Sequence, residues 1–141
     1  MEFVRDVMST DVEYCTPLDN LYEVSVKMKD LNIGAIPILE DKKLIGMITD
    51  RDLVVRGYAE KRSGSNQVTN VMSEDLVTCT PDTSLQEASQ LMAKHQIRRL
   101  PVIENEQLVG MLSLGDLSTN QMSDNSAGEA LSHISEENHL H

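Results

Sequence analysis

Apolar residues in this chain switch spacing in a fixed order, and the whole order then recurs. Leu21, Val24, Met28 and Leu31 fall at i, i+3, i+7 and i+10, with Lys27, Lys29 and Asp30 on the other faces, which predicts an amphipathic helix. Leu85, Ala88, Met92 and His95 repeat the stripe. Asn20 and Ser84 precede Glu23 and Glu87 by three residues, the spacing of an N-cap with a carboxylate that answers it. Beyond each helix the spacing shortens to unbroken apolar runs, Ala35-Ile36-Pro37-Ile38-Leu39 and Leu100-Pro101-Val102-Ile103. Polar turns at 40–43 and 104–107 separate these from second runs at 44–49 and 108–113, so each pair reads as a two-stranded hairpin leading into another helix. Ahead of each capped helix stand a short helical or turn-like segment (4–9 and 68–73) and a brief strand (13–15 and 77–79), ended by Thr-Pro. The unit is β-α-β-β-α, an α+β arrangement, present twice.

The duplication is visible residue by residue. Shifting the chain by 64 positions aligns 7–53 with 71–117 without a gap, and 19 of the 47 pairs are identical. Val-Met-Ser, Cys-Thr-Pro and the Gly-Met to Asp-Leu segment carry most of the identity. The expected organisation is a first repeat at 1–56, a linker rich in Gly, Ser and charge at 57–67, a second repeat at 68–120 and a tail at 121–141 with a weak helical pattern at 127–134. Each repeat alone offers a small core, so the two are expected to pack sheet to sheet with pseudo-two-fold symmetry.

Composition narrows what such an object does. Of 141 residues, 40% are hydrophobic but none is Trp and one is Phe, so the core is aliphatic, with eight Met. Twelve basic against 23 acidic residues leave a net charge of −11, which disfavours nucleic acid and anionic membrane as partners. No apolar run approaches membrane-spanning length and the first residues lack a signal-peptide pattern, so the expected location is cytoplasmic. Cys15 and Cys79 occupy equivalent positions beside Thr-Pro and read as small buried hydrophobes without a disulfide. No Cys/His cluster has metal-ligand spacing, and His139 and His141 read as an exposed end.

The chemistry-bearing segment is Gly46-Met47-Ile48-Thr49-Asp50-Arg51-Asp52, repeated as Gly110-Met111-Leu112-Ser113-Leu114-Gly115-Asp116. A Gly inside each strand points to a tight bend or to something approaching the backbone closely. A hydroxyl at the strand end (Thr49, Ser113) and a carboxylate three residues on (Asp52, Asp116) suit a ribose phosphate, beside helix amides that suit an anion. Helix capping by the same residues is the competing reading, and spacing leaves both open. No Ser/His/Asp or Cys/His set and no phosphate loop of the G-x-x-x-x-G-K-[ST] kind is present, so the chain is not expected to be an enzyme.

Taken in order, the doubled pattern, the strand motif of an apolar residue followed by Pro at 33–37 and 97–101, and the two Gly-to-Asp segments resemble the cystathionine beta-synthase (CBS) domain family, two copies of which form a Bateman module. The resemblance covers about 110 residues. It implies a non-catalytic regulatory module that binds adenosine-containing ligands (AMP, ADP, ATP, NAD or S-adenosylmethionine), AMP or ATP foremost, with no obligatory cofactor. By that resemblance Asp52 and Asp116 hold ribose hydroxyls, and Thr49 and Ser113 reach ribose or phosphate. Residues 12–17 and 76–81 line the adenine pockets through Thr16 and Thr80, and Ile36 and Leu100 pack on the base. Arg98 and Arg99 stand where the first copy has Gly34 and Ala35, so Arg98 is the expected phosphate ligand; Arg51 serves the first site or offsets its acidic neighbours. The implied assembly is a homodimer acting on a protein effector in trans, the alternative being a dimerisation scaffold without a ligand.

Overall fold

Both long helices start at the caps that their spacing predicts. In the computed structural model, which describes residues 2–118, α1 is the short turn Val4–Val7 and α2 spans Leu21–Leu31. The Asn20 side chain accepts the Glu23 N–H at 2.8 Å, and the Glu23 carboxylate accepts the Asn20 N–H at 3.0 Å. In the second copy the Ser84 hydroxyl accepts the Glu87 N–H at 3.1 Å, at the start of the helix Leu85–His95. Both helices end on a left-handed residue, Asn32 (φ 54°) and Gln96 (φ 57°). The Ile33 N–H then reaches back to the Met28 carbonyl (3.1 Å) and the Ile97 N–H to that of Met92 (3.0 Å), a Schellman closure. Leu31 and His95, expected to extend the apolar stripe, are exposed because the chain turns away at the next residue. Ile33 and Ile97 fold back onto the cores instead.

The hairpins follow. Strand β1 (Ala35–Glu40) pairs antiparallel with β2 (Lys43–Thr49), and β3 (Arg99–Glu104) with β4 (Gln107–Ser113). Two-residue turns join them, Asp41-Lys42 and Asn105-Glu106, with all four residues at positive φ as a type I′ turn requires. Each pairing carries a bulge at the same place, where Ile45 and Val109 have no opposite residue. The brief strands expected at 13–15 and 77–79 shrink to one parallel step each, Cys15 beside Ile38 and Cys79 beside Val102. Thr-Pro turns the chain immediately afterwards, and proline has no N–H with which to continue the ladder.

After β2, the helical path begins as α3 (Asp50–Asp52), widens into a π-helical turn (Leu53–Gly57) and tightens into a 3₁₀ turn (Tyr58–Glu60). It therefore extends into the stretch read as a linker. The rest of that stretch is fastened to the start of α2, since the Leu21 N–H donates to Asn66 O (2.9 Å) and the Tyr22 N–H to Gly64 O (3.1 Å). In the second copy α4 is Leu85–His95 and α5 is Leu114–Ser118. The weak helical pattern at 127–134 and the terminal histidines lie outside the described residues.

The chain forms two compact units, Glu13–Leu76 and a second that joins residues up to Val12 with those from Val77 onward. Each repeat's opening segment thus belongs to the unit built on the other repeat's hairpin. In the first unit Val68, Val71 and Met72 complete a core of Cys15, Leu21, Val24, Met28, Ile36, Ile38 and Ile48. In the second unit Val4 joins Cys79, Leu85, Ala88, Met92, Leu100, Val102, Leu112, Leu114 and Leu117.

Candidate functional site

At the end of β2 the Thr49 hydroxyl accepts the Asp52 N–H (3.0 Å) while the Asp52 carboxylate accepts the Thr49 N–H (3.0 Å). Ser113 and Asp116 repeat this at the end of β4, at 3.1 and 2.8 Å. The capping role is therefore realised in both copies, and all four residues are half-buried. Capping also fixes the carboxylates. Each uses one oxygen, Oδ2, for the cap, and a carboxylate has acceptor sites for about four hydrogen bonds, so the arrangement is compatible with a diol.

The expectation of helix amides open to an anion fails in the first copy. There the Asp50 N–H goes to Gly34 O (2.9 Å), the Arg51 N–H to Asp50 Oδ1 (2.8 Å) and the Asp52 N–H to Thr49 Oγ1. The Gly34 carbonyl and the side chains of Asp50 and Thr49 have already satisfied these three donors.

Hairpin register brings other predicted residues alongside. Ala35 lies opposite Thr49, and Arg99 opposite Ser113. Arg98 O accepts the Leu114 N–H at 2.8 Å, so Arg98 and Arg99 flank Ser113 with exposed side chains. Arg51 is likewise exposed, between Asp50 and Asp52.

Other assignments move. Ile36 and Leu100 have no exposed surface and belong to the two cores, so neither presents a face to a base. Thr16 and Thr80 are not brought to the strand-end pairs. The parallel step sets Cys15 level with Ile38, so Thr16 lies beyond it, some four residues along β1 from Ala35, about 13 Å at strand rise. Thr80 stands in the same relation to Arg99. Both threonines instead build local turns, Thr16 Oγ1 accepting from Leu18 N–H and Thr80 Oγ1 bonded to Thr83 Oγ1. The segment comes nearer to Thr49 one residue earlier than Cys15, at half-exposed Tyr14, an aromatic that the duplicated pattern hides because its counterpart is Thr78.

The strand glycines answer to the chain itself. A Cβ at Gly46 would lie 2.5 Å from Met72 Sδ and 3.1 Å from Ser73 O, and one at Gly110 would lie 2.7 Å from Met8 Sδ and 2.9 Å from Ser9 O. Two backbone hydrogen bonds fasten each opening segment there, between Met47 and Ser73 (2.9 and 2.8 Å) and between Ser9 and Met111 (2.9 Å each). Of the two readings for these glycines, close backbone approach holds, and the approaching group is Val-Met-Ser. In the first unit a cavity of about 370 Å³ is lined by Arg56, Thr69, Met72, Ser73, Glu74 and Asp75. It includes neither Thr49 nor Asp52. Arg56 is committed to structure within it, donating to Met72 O (3.2 Å) and Ser73 Oγ (3.4 Å).

Cys15 and Cys79 are buried free thiols. Burial pushes both up from the ordinary 9.0 to about 11, with Asp19 adding to the effect at Cys15 and Glu87 at Cys79. Protonated at neutral pH, they are poor nucleophiles. Among the described residues no group of three or more His, Cys, Asp or Glu is placed to hold a metal ion, and no helix is long and apolar enough to cross a membrane.

A sequence model of the CBS domain matches residues 4–57 and 68–123. CBS domain-containing protein YhcV of Bacillus subtilis is 49% identical over 138 residues, which cover 98% of this chain and 99% of the relative. A crystal structure of Hypoxic Response Protein I with two coordinated zinc ions superposes with a TM-score of 0.78 at 31% identity, over 84% of this chain and 98% of that one. The CBS domain pair of MJ0100, solved in complex with 5′-methylthioadenosine and S-adenosyl-L-methionine, shares the fold at 22% identity with a TM-score of 0.74, over 84% and 94%.

Proposed function

Because the chain belongs to the CBS-domain family, as a tandem pair of the domains, we propose that it is a non-catalytic regulatory module binding one adenosine-containing ligand per repeat. The observation that supports this most is the strand-end hydroxyl and carboxylate, held in the same reciprocal geometry in both copies. Asp52 and Asp116 would accept the ribose hydroxyls, with Thr49 and Ser113 beside them. Arg98, flanking Ser113, would hold a phosphate in the second copy, with Arg99 adding positive charge. AMP and ATP suit that second site, and the adenosyl ligands of the MJ0100 pair support the wider ligand class.

Bound ligand would favour one of two pre-existing conformations, which a cytoplasmic protein partner reads in trans. Self-association is part of the same proposal. Tyr14, Leu18, Tyr22, Leu31, Val54, Val55 and Tyr58 are exposed, all in the first unit. Their described counterparts 64 residues on are polar: Thr78, Asp82, Gln86, His95 and Ser118. An apolar set confined, among the described residues, to one copy suits an isologous contact between two chains.

A thermal-shift panel of adenosine, AMP, ADP, ATP, NAD and S-adenosylmethionine tests the ligand reading. A ligand at 100 times its dissociation constant adds about 2.7 kcal/mol of stability. A flat response to every compound, with a dimer seen by light scattering, would leave the scaffold reading in its place.

A further inference from the structure

The two copies build the same corner from side chains of opposite charge. In the first, the backbone bond from Asp50 N–H to Gly34 O joins the end of β2 to the residue before β1, and in the second Leu114 N–H to Arg98 O does the same. The side chains at this corner exchange roles. Asp50 folds its carboxylate over Gly34, where a Cβ would lie 3.1 Å from Oδ2 and 3.4 Å from Cγ, and Oδ1 is anchored by the Arg51 N–H at 2.8 Å. In the second copy Leu114 turns into the core and leaves the corner to the exposed Arg98. Gly34 and Asp50 are therefore coupled, because a side chain at 34 would crowd the carboxylate and press it out of this position by a few tenths of an ångström.

We propose that Asp50 is a specificity determinant that keeps phosphate-bearing ligands out of the first copy's site. That site then takes adenosyl compounds whose 5′ substituent is uncharged or cationic, while the second takes the nucleotide. The inference rests on the adenosyl reading given above and sharpens it. A phosphate entering the first site would meet a fixed carboxylate and find the Arg51, Asp52 and Asp50 amides already engaged. The repulsion acts at partial exposure and weakens with salt, so the expected discrimination is about 10- to 100-fold at low ionic strength.

The test is a titration with adenosine and, separately, with AMP, followed through the backbone amide resonances of Thr49 and Ser113, which report on each copy. In the wild type, Thr49 responds to adenosine at concentrations at least about tenfold below AMP, and Ser113 shows the reverse order. Asp50→Asn keeps an oxygen for the Arg51 N–H and removes the charge. It raises AMP affinity at Thr49 about tenfold or more, leaves Ser113 unchanged and leaves the unfolding midpoint near that of the wild type. Equal preference for AMP in both copies, or an unchanged ratio of AMP to adenosine affinity at Thr49 in Asp50→Asn, overturns the role of Asp50 while the adenosyl reading stands. Silence of both amides to both compounds overturns the adenosyl reading and this inference with it.

Discussion

Gly46→Ala places a methyl group against the segment that crosses β2. Its Cβ would lie 2.5 Å from Met72 Sδ and 3.0 Å from Cγ, contacts that a flexible side chain relieves by moving. The 3.1 Å approach to Ser73 O is different, because that oxygen is backbone and is held by the Met47 N–H at 2.9 Å. Relief there stretches this bond and its partner from Ser73 N–H to Met47 O at 2.8 Å. Overpacking costs about 1–3 kcal/mol and each of the two weakened hydrogen bonds up to about 0.5–1.5 kcal/mol, so the expected destabilisation is about 2–6 kcal/mol. Gly115→Ala is the control, since its nearest neighbour is Ser113 Oγ at 3.6 Å and alanine is the better helix former, giving a change between zero and about 1 kcal/mol in favour of folding. Urea unfolding at equilibrium, read as midpoint and slope, measures both. Adding Met72→Ala to Gly46→Ala recovers only part of the loss, because Ser73 O stays in place. A Gly46→Ala midpoint equal to that of wild type would refute the claim that Val-Met-Ser approach dictates these glycines.

Gln96→Gly is expected to stabilise by about 0.5–1 kcal/mol, because Gln96 holds φ 57° where glycine has no Cβ penalty; its urea midpoint should rise, and a fall would mean that the Gln96 amide bond to Ala93 O (3.2 Å) outweighs the backbone strain. The buried thiols predict alkaline lability. Their folded pKa values near 11 exceed the ordinary 9.0, so the stability they contribute is complete below pH 9 and is lost as pH rises through about 11. The rise from 9.0 to about 11 caps the contribution of each thiol at about 3 kcal/mol. The drop in urea midpoint between pH 8 and pH 10.5 should be smaller in Cys15→Ala/Cys79→Ala than in wild type, and equal drops would contradict the assignment.

Local order was legible where a short stretch of chain decides it. Asn20 and Glu23 cap each other across three residues, and the hairpins follow from apolar runs interrupted by two polar turn residues. What escaped was set by partners distant in sequence. Gly46 and Met72 lie 26 residues apart, and Met8 and Gly110 lie 102 apart, yet each pair forms one contact. Both members sit in the repeated identity clusters, so the duplication held the clue without saying which copy pairs with which. The resemblance offers Ile36 and Leu100 as base contacts, but full burial of the strand start puts them in the cores. The resemblance offers Thr16 and Thr80 for the adenine pockets, and a parallel step that no local pattern reveals sets them along the strand from Thr49 and Ser113. Asp50 looked like one of two neighbouring carboxylates until its position over Gly34 separated it from Asp52.

The central claim, that Asp52 and Asp116 accept ribose hydroxyls, is tested most directly by calorimetric titration of wild type, Asp52→Ala and Asp116→Ala with AMP and adenosine, at a temperature where all three are folded. Loss of charge-assisted hydrogen bonds worth about 1.5–3 kcal/mol predicts roughly 10- to 150-fold weaker binding at the altered copy. Unchanged affinity for both compounds in both variants would contradict it.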